Sequence, residues 1–134
     1  MLFKSIVRLA PLLLIALNLP ASAADKVQET PQFRACMDNV DLSAMKNSQW
    51  YACFVEELTR QDKVLNAEYR ALQARIPAES KEPLVKGQRA WIGAREAWCR
   101  FEQSLPNAPG GEVNYQACLL DQTIAQTNKL KDVF

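Results

Sequence analysis

From Leu84 to Cys99 the positions Leu84, Gln88, Trp91, Arg95 and Cys99 recur at intervals of 4, 3, 4 and 4. At 3.6 residues per turn they share one face of a helix. Upstream, Leu58, Asp62, Leu65, Tyr69, Leu72 and Ile76 repeat the stripe. Each row is interrupted where a plain core helix would carry Leu or Ile: Asp62 in the first, Gln88 and Arg95 in the second. Two such stripes joined by a short link predict an antiparallel helical hairpin.

The remaining elements follow from local signals. Thr30-Pro31 is an N-cap followed by Pro at the first helical position, opening a short helix from Pro31 to about Asn39. Asn39 to Ser48 reads as a loop with room for one helical turn. A long helix runs from about Ser48 to Ile76 and stops at Pro77. Ser80 is expected to cap the next helix, with Pro83 in its first turn, and that helix continues to Gln103 or Ser104. Leu105 to Asn114 holds Pro106, Asn107, Pro109, Gly110 and Gly111 and reads as a loop. A last helix spans about Val113 to Asp132. The fold class is all-α, a small antiparallel helical bundle stapled by disulfides.

Docking the two stripes directly about the 77–80 link sets Leu72 against Leu84, Tyr69 against Gln88, Leu65 against Trp91 and Asp62 against Arg95. We read Asp62–Arg95 as a structural pair that sets register, because a guanidinium keeps a neighbouring carboxylate ionised and unfit for general-base work. Glu56 and Glu57 read as solvated charges, so Asp62→Ala is expected to destabilise more than Glu57→Ala. Trp91 reads as core, Trp98 as core or flank, and Trp50 as packed on the first helix or exposed as an anchor.

Composition narrows the function classes. Lys4 and Arg8, the apolar run Leu9–Leu19, Pro20 and Ala21-Ser22-Ala23 form a secretory signal peptide of 23 residues, too short an apolar run to span a membrane. Residues 24–29 are expected to be a flexible arm and 30–134 a single domain. Without the first 23 residues the chain carries 14 basic and 15 acidic side chains. That balance excludes the basic footprint that nucleic acid requires. No stable membrane anchor is expected after cleavage, which places the protein in the periplasm or outside the cell. The chain has no histidine, which excludes His-dependent triads and disfavours zinc catalysis. We expect no catalytic residues, no metal and no cofactor. Four cysteines, Cys36, Cys53, Cys99 and Cys118, suggest two disulfides in an exported chain. Of the three possible connectivities, direct docking disfavours Cys53–Cys99, since it places Cys53 opposite about residue 104; Cys36–Cys53 and Cys99–Cys118 are the expected pairs because each closes one of the two loop-containing segments.

These residues together resemble a family. Cys36, Cys53, Asp62, Leu65-Asn66, Tyr69, Leu72, Leu84, Gln88, Trp91, Arg95, Cys99, Gly110-Gly111, Cys118-Leu119, Thr123 and Leu130 look like the pattern of the LprI-like lysozyme inhibitors, small exported bacterial domains. The most specific parts are residues 65–72 and 88–95. The resemblance covers nearly all of the chain after residue 23. It departs at Gln126, where the family usually carries Arg. It implies an all-helical, disulfide-stapled envelope protein that binds a lysozyme or related muramidase and does not catalyse. The alternative is a periplasmic structural or protein-interaction module without lysozyme inhibition. The candidate contact is the Leu105–Asn114 loop, flanked by Cys99 and Cys118, in particular Pro109, Gly110, Gly111 and Glu112. Export itself has a direct check: the intact mass of the protein recovered from the periplasm should correspond to residues 24–134, and a mass retaining residues 1–23 would remove the signal-peptide assignment.

Overall fold

The structure is a computed structural model that describes residues 26–44 and 47–133; the expected signal peptide, residues 1–23, lies outside the described residues. Among the described residues four helices follow in order: α1 (Pro31–Asp38), α2 (Asn47–Arg75), α3 (Ala78–Gln103) and α4 (Gly111–Lys131), with a 3₁₀ turn at Leu42–Ala44. Among the described residues, no helix is long and apolar enough to cross a membrane.

Local chemistry explains most boundaries. Thr30 caps α1 through its hydroxyl, which accepts the Phe33 N–H at 3.2 Å, and Pro31 occupies the first turn. Ser80 does not cap α3. The helix begins two residues earlier, after an extended Pro77 (φ −63°, ψ 157°), and the Ser80 N–H already donates to the Pro77 carbonyl at 3.0 Å. Pro77 supplies the preset φ that the entry needs, and Pro83 therefore lies inside the helix rather than in its first turn.

The two long helices do not dock on each other as the stripes suggested. Helix α4 packs chiefly against α2 and next against α3, and no comparable approach joins α2 to α3. It runs parallel to α2, with Leu120 beside Cys53 and Leu130 beside Leu65 and Leu72. It runs antiparallel to α3, which it meets at Cys99–Cys118, Arg95–Thr123 and Gln88–Gln126. Leu84 and Trp91 of α3 still share a core with Leu65 and Leu72, but around Leu130. The Asp62–Arg95 level survives, and Leu65, Leu72, Leu84 and Trp91 still meet in one cluster, but α4 rather than a direct α2–α3 seam fills most of the space between the two helices. Gln88 accepts from Gln126 at 2.9 Å, whereas the Tyr69 hydroxyl accepts from Gln73 on its own helix.

Thr123 and Thr127, both fully buried, let α4 fit between its neighbours. Each hydroxyl donates to the carbonyl four residues back, at 2.7 and 2.8 Å, so neither leaves an unmet polar group. Thr123 also accepts from Arg95 Nη1 at 2.8 Å. The same Arg95 nitrogen lies 3.7 Å from Asp62 Oδ1, and its guanidinium sits 4.7 Å over the Trp91 ring. Arg95 and Asp62 therefore meet, but the short bond is to α4 and Asp62 remains 44% exposed.

A second polar centre was not expected. Glu57 is fully buried, not solvated. Its carboxylate accepts from the Thr30 N–H (2.8 Å), the Thr30 hydroxyl (2.6 Å), Gln61 Nε2 (2.8 Å) and Arg60 Nε (2.8 Å). Gln61 Nε2 also donates to the Gln28 carbonyl at 2.9 Å, and Val27 exchanges backbone bonds with the Asn128 amide at 2.7 and 3.0 Å. The described part of the arm, expected to be flexible, is thus pinned to α2 and α4. Burial pushes the Glu57 carboxyl up, but the bonds from Thr30, Gln61 and Arg60 overcome this and hold it below the ordinary value near 4.5.

These contacts reverse the expected order of two mutations. Glu57→Ala strands Thr30, Gln61 and the partly exposed Arg60, at a cost of about 2–3 kcal/mol, whereas Asp62→Ala removes a long, half-exposed pair and costs under about 1 kcal/mol. Because the folded-state value of Glu57 is depressed, its contribution is complete above the ordinary carboxyl range and is lost as pH falls through the folded-state value. Urea melts at pH 7 and pH 3 should show the Glu57→Ala deficit shrinking on acidification; a deficit unchanged at the lower pH, or one no larger than that of Asp62→Ala, would contradict the assignment.

Candidate functional site

Both disulfides lie toward one end of the bundle. Cys36–Cys53 ties α1 to the start of α2, and Cys99–Cys118 ties the end of α3 to α4, with Cα separations of 5.7 and 5.4 Å. Each closes a segment of 17 or 19 residues and restricts the unfolded chain there, by about 3 kcal/mol in the loop-entropy model. Beside the second bridge, the Tyr115 hydroxyl donates to Glu96 Oε2 at 2.7 Å. That bond, with Arg100, holds the Glu96 carboxyl below its usual range against the opposing effect of burial.

The segment between α3 and α4 is held by its own bonds. Asn114 Nδ2 donates to Asn107 Oδ1 at 2.7 Å, the Gly110 N–H donates to Asn114 Oδ1 at 3.2 Å, and Asn47 Nδ2 donates to the Pro109 carbonyl at 2.9 Å. The Ala108–Pro109 peptide is cis. Gly110 and Gly111 take φ of 84° and 53°, where a side chain is strained, and a Cβ on Gly110 would approach the Asn107 carbonyl to 3.1 Å.

This geometry moves the exposed part of the loop. Pro109 and Gly110 are half-buried, while Gly111 and Glu112 already belong to the first turn of α4. Glu112 accepts from Gln103 Nε2 at 2.6 Å. The exposed tip is instead residues 104–108, an uncharged run. Trp50 comes close to the loop: it shares a recess of about 310 Å³ with Val40, Leu42 and Pro109.

On the other flank of the tip, Trp98 and Phe101 are 53% and 50% exposed, with ring centroids 5.4 Å apart. Trp98 Nε1 donates to Glu102 Oε1 at 2.6 Å. A recess of about 310 Å³ joins both rings to Leu105, Asn107, Glu102 and Asp121. Partial burial and the charge of Glu102 push the Asp121 carboxyl above its ordinary range. Phe101, Glu102 and Asp121 were not singled out in the sequence. The available signal was the pair Trp98 and Phe101, three residues apart and off the α3 stripe. Large apolar rings on the open flank of a helix mark contact surface more than core.

Asp62, Leu65, Asn66, Tyr69, Gln88, Trp91 and Arg95 lie away from this end, in the helical seams or, for Asn66, on the exposed side of α2. The arrangement presents a fixed aromatic and apolar surface with an acidic edge. Among the described residues, no group of three or more potential ligands is placed to hold a metal ion. The disulfides fit an oxidising compartment.

Residues 22–130 match the family described as "Lysozyme inhibitor LprI". A curated relative from Rhizobium meliloti (strain 1021), titled "Uncharacterized protein R02472", is 29% identical over 137 residues, spanning 90% of this chain and 89% of the relative. No solved structure matches the chain. The family match runs through all four helices and both disulfides, and the chain belongs to the LprI lysozyme inhibitor family.

Proposed function

We propose that this protein binds a lysozyme or related muramidase and blocks it stoichiometrically with its disulfide end. The observation that carries the reading is the exposed Trp98–Phe101 pair beside the fixed, uncharged tip at 104–108. Aromatic anchors presented rigidly lose little entropy on docking. Muramidases work with two carboxylates in a cleft. An uncharged tip can enter such a cleft without repulsion from them, whereas Glu102 and Asp121 would meet the cleft's outer wall, where basic groups are their complement. Family membership supports the partner class; the end of the bundle that makes contact is our own assignment.

The test is inhibition of peptidoglycan lysis by purified protein across several lysozyme classes. Replacing both Trp98 and Phe101 by Ala should weaken inhibition by roughly 30-fold or more, the effect of removing an interface hot spot of about 2 kcal/mol or above. Lys81→Ala, on an exposed part of α3 at the opposite end, should leave inhibition unchanged. Full potency in the double variant would clear the disulfide end of any role, and no inhibition by the wild type at micromolar excess would favour the envelope-interaction alternative.

Asp121 gives a second readout. Its raised carboxyl value means that the charged form is disfavoured in the folded protein, so the penalty is absent in acid and grows as pH rises through the folded-state value. Asp121→Asn should therefore stabilise the free protein at neutral pH, with the gain vanishing below the ordinary carboxyl range, while weakening inhibition. A variant that loses stability at pH 7 would contradict the uncompensated acidic edge.

A further inference from the structure

At the end opposite the disulfides, α2, α3 and α4 leave an open groove of about 620 Å³. Its apolar lining includes Leu72, Ile76, Leu84, Trp91, Leu130 and Val133. The turn at Pro77 lies at one end, and Gln88 and Gln126, hydrogen-bonded across α3 and α4 at 2.9 Å, lie at the other. The volume is that of a small-molecule site. The α3 wall is low at Gly87, where a Cβ would meet nothing within 4 Å.

The charges around the groove select its occupant. Among the described residues that line it there is no carboxylate, and the one charged residue is Lys129, exposed and without an ion pair to another described residue. An apolar trough with one cation at its rim complements an amphipathic monoanion. A partner helix is about 10 Å across, whereas an acyl chain is far slenderer and suits a recess of this volume.

We propose that this groove binds the acyl chain of a long-chain fatty acid, with its carboxylate at Lys129. Apolar walls take the methylenes, and each one buried raises affinity by up to about fourfold. Gln88 and Gln126 offer amide groups at the inner end without charge. The site is separate from the proposed lysozyme-binding end and does not rest on it.

Quenching of tryptophan fluorescence by a brominated stearate, read on the purified protein, tests this through Trp91. Saturable quenching is expected below the probe's micelle concentration and should be lost in Trp91→Phe. Gly87→Phe should abolish it by filling the open space, with the circular dichroism spectrum unchanged. Lys129→Glu should weaken brominated stearate by roughly fivefold while leaving the corresponding neutral alcohol unaffected. The proposal is overturned by any one of four results: no saturable quenching of the wild type, a Gly87→Phe variant that folds and still binds, equal loss of acid and alcohol in Lys129→Glu, or displacement of the probe by added lysozyme or by dimerisation of the chain. Should Gly87→Phe fail to fold, the Lys129 comparison alone decides.

Discussion

Leu120, Thr123 and Thr127 are fully enclosed on a helix that must face both α2 and α3. That demand governs the other contacts. Two long helices cannot both lie on α4 unless its inner face is narrow and leaves no unmet polar group. Threonine meets the condition, since its hydroxyl bonds back to the preceding turn and its methyl packs. Arg95 then spans the seam, touching Thr123 on α4 and approaching Asp62 on α2. Once α4 is seated, Cys118 falls beside Cys99 and the intervening segment is drawn into a short, bonded loop.

Glu57 does for the N-terminal side what α4 does for the long helices. A single buried carboxylate gathers the cap of α1, the extended segment before it, and two side chains of α2. Buried charge is tolerated when hydrogen bonds replace the lost water, and here four donors do so. The described residues therefore form two polar anchors and three small apolar clusters rather than one continuous core. Such a core leaves the two ends free to differ. One end carries disulfides, exposed rings and acids; the other carries an open apolar groove with a lysine at its rim.

The helices, their order and the cysteine pairs were legible because each rests on local spacing or on loop closure. Asp62 and Arg95 were legible as neighbours because antiparallel helices fix levels whatever lies between them. The insertion of α4 was not legible, since threonines on its buried face blur the apolar stripe. Glu57 was missed because two adjacent acids on a long helix look like solvent face, and its main partner, Thr30, lies 27 residues upstream. The connection between α3 and α4 was legible from its Pro, Asn and Gly residues, but turn formers mark where a chain bends, not which of its residues stay exposed. Hence Pro109 to Glu112 proved partly packed or helical, while residues 104–108 form the tip.

The central functional claim is that the disulfide end meets the partner. Amide hydrogen exchange of the protein with and without a saturating lysozyme tests it without any substitution. The account predicts slowed exchange in residues 98–108 and at the start of α2, with residues 76–91 unchanged. Protection confined to 76–91, or none at saturation, would contradict it.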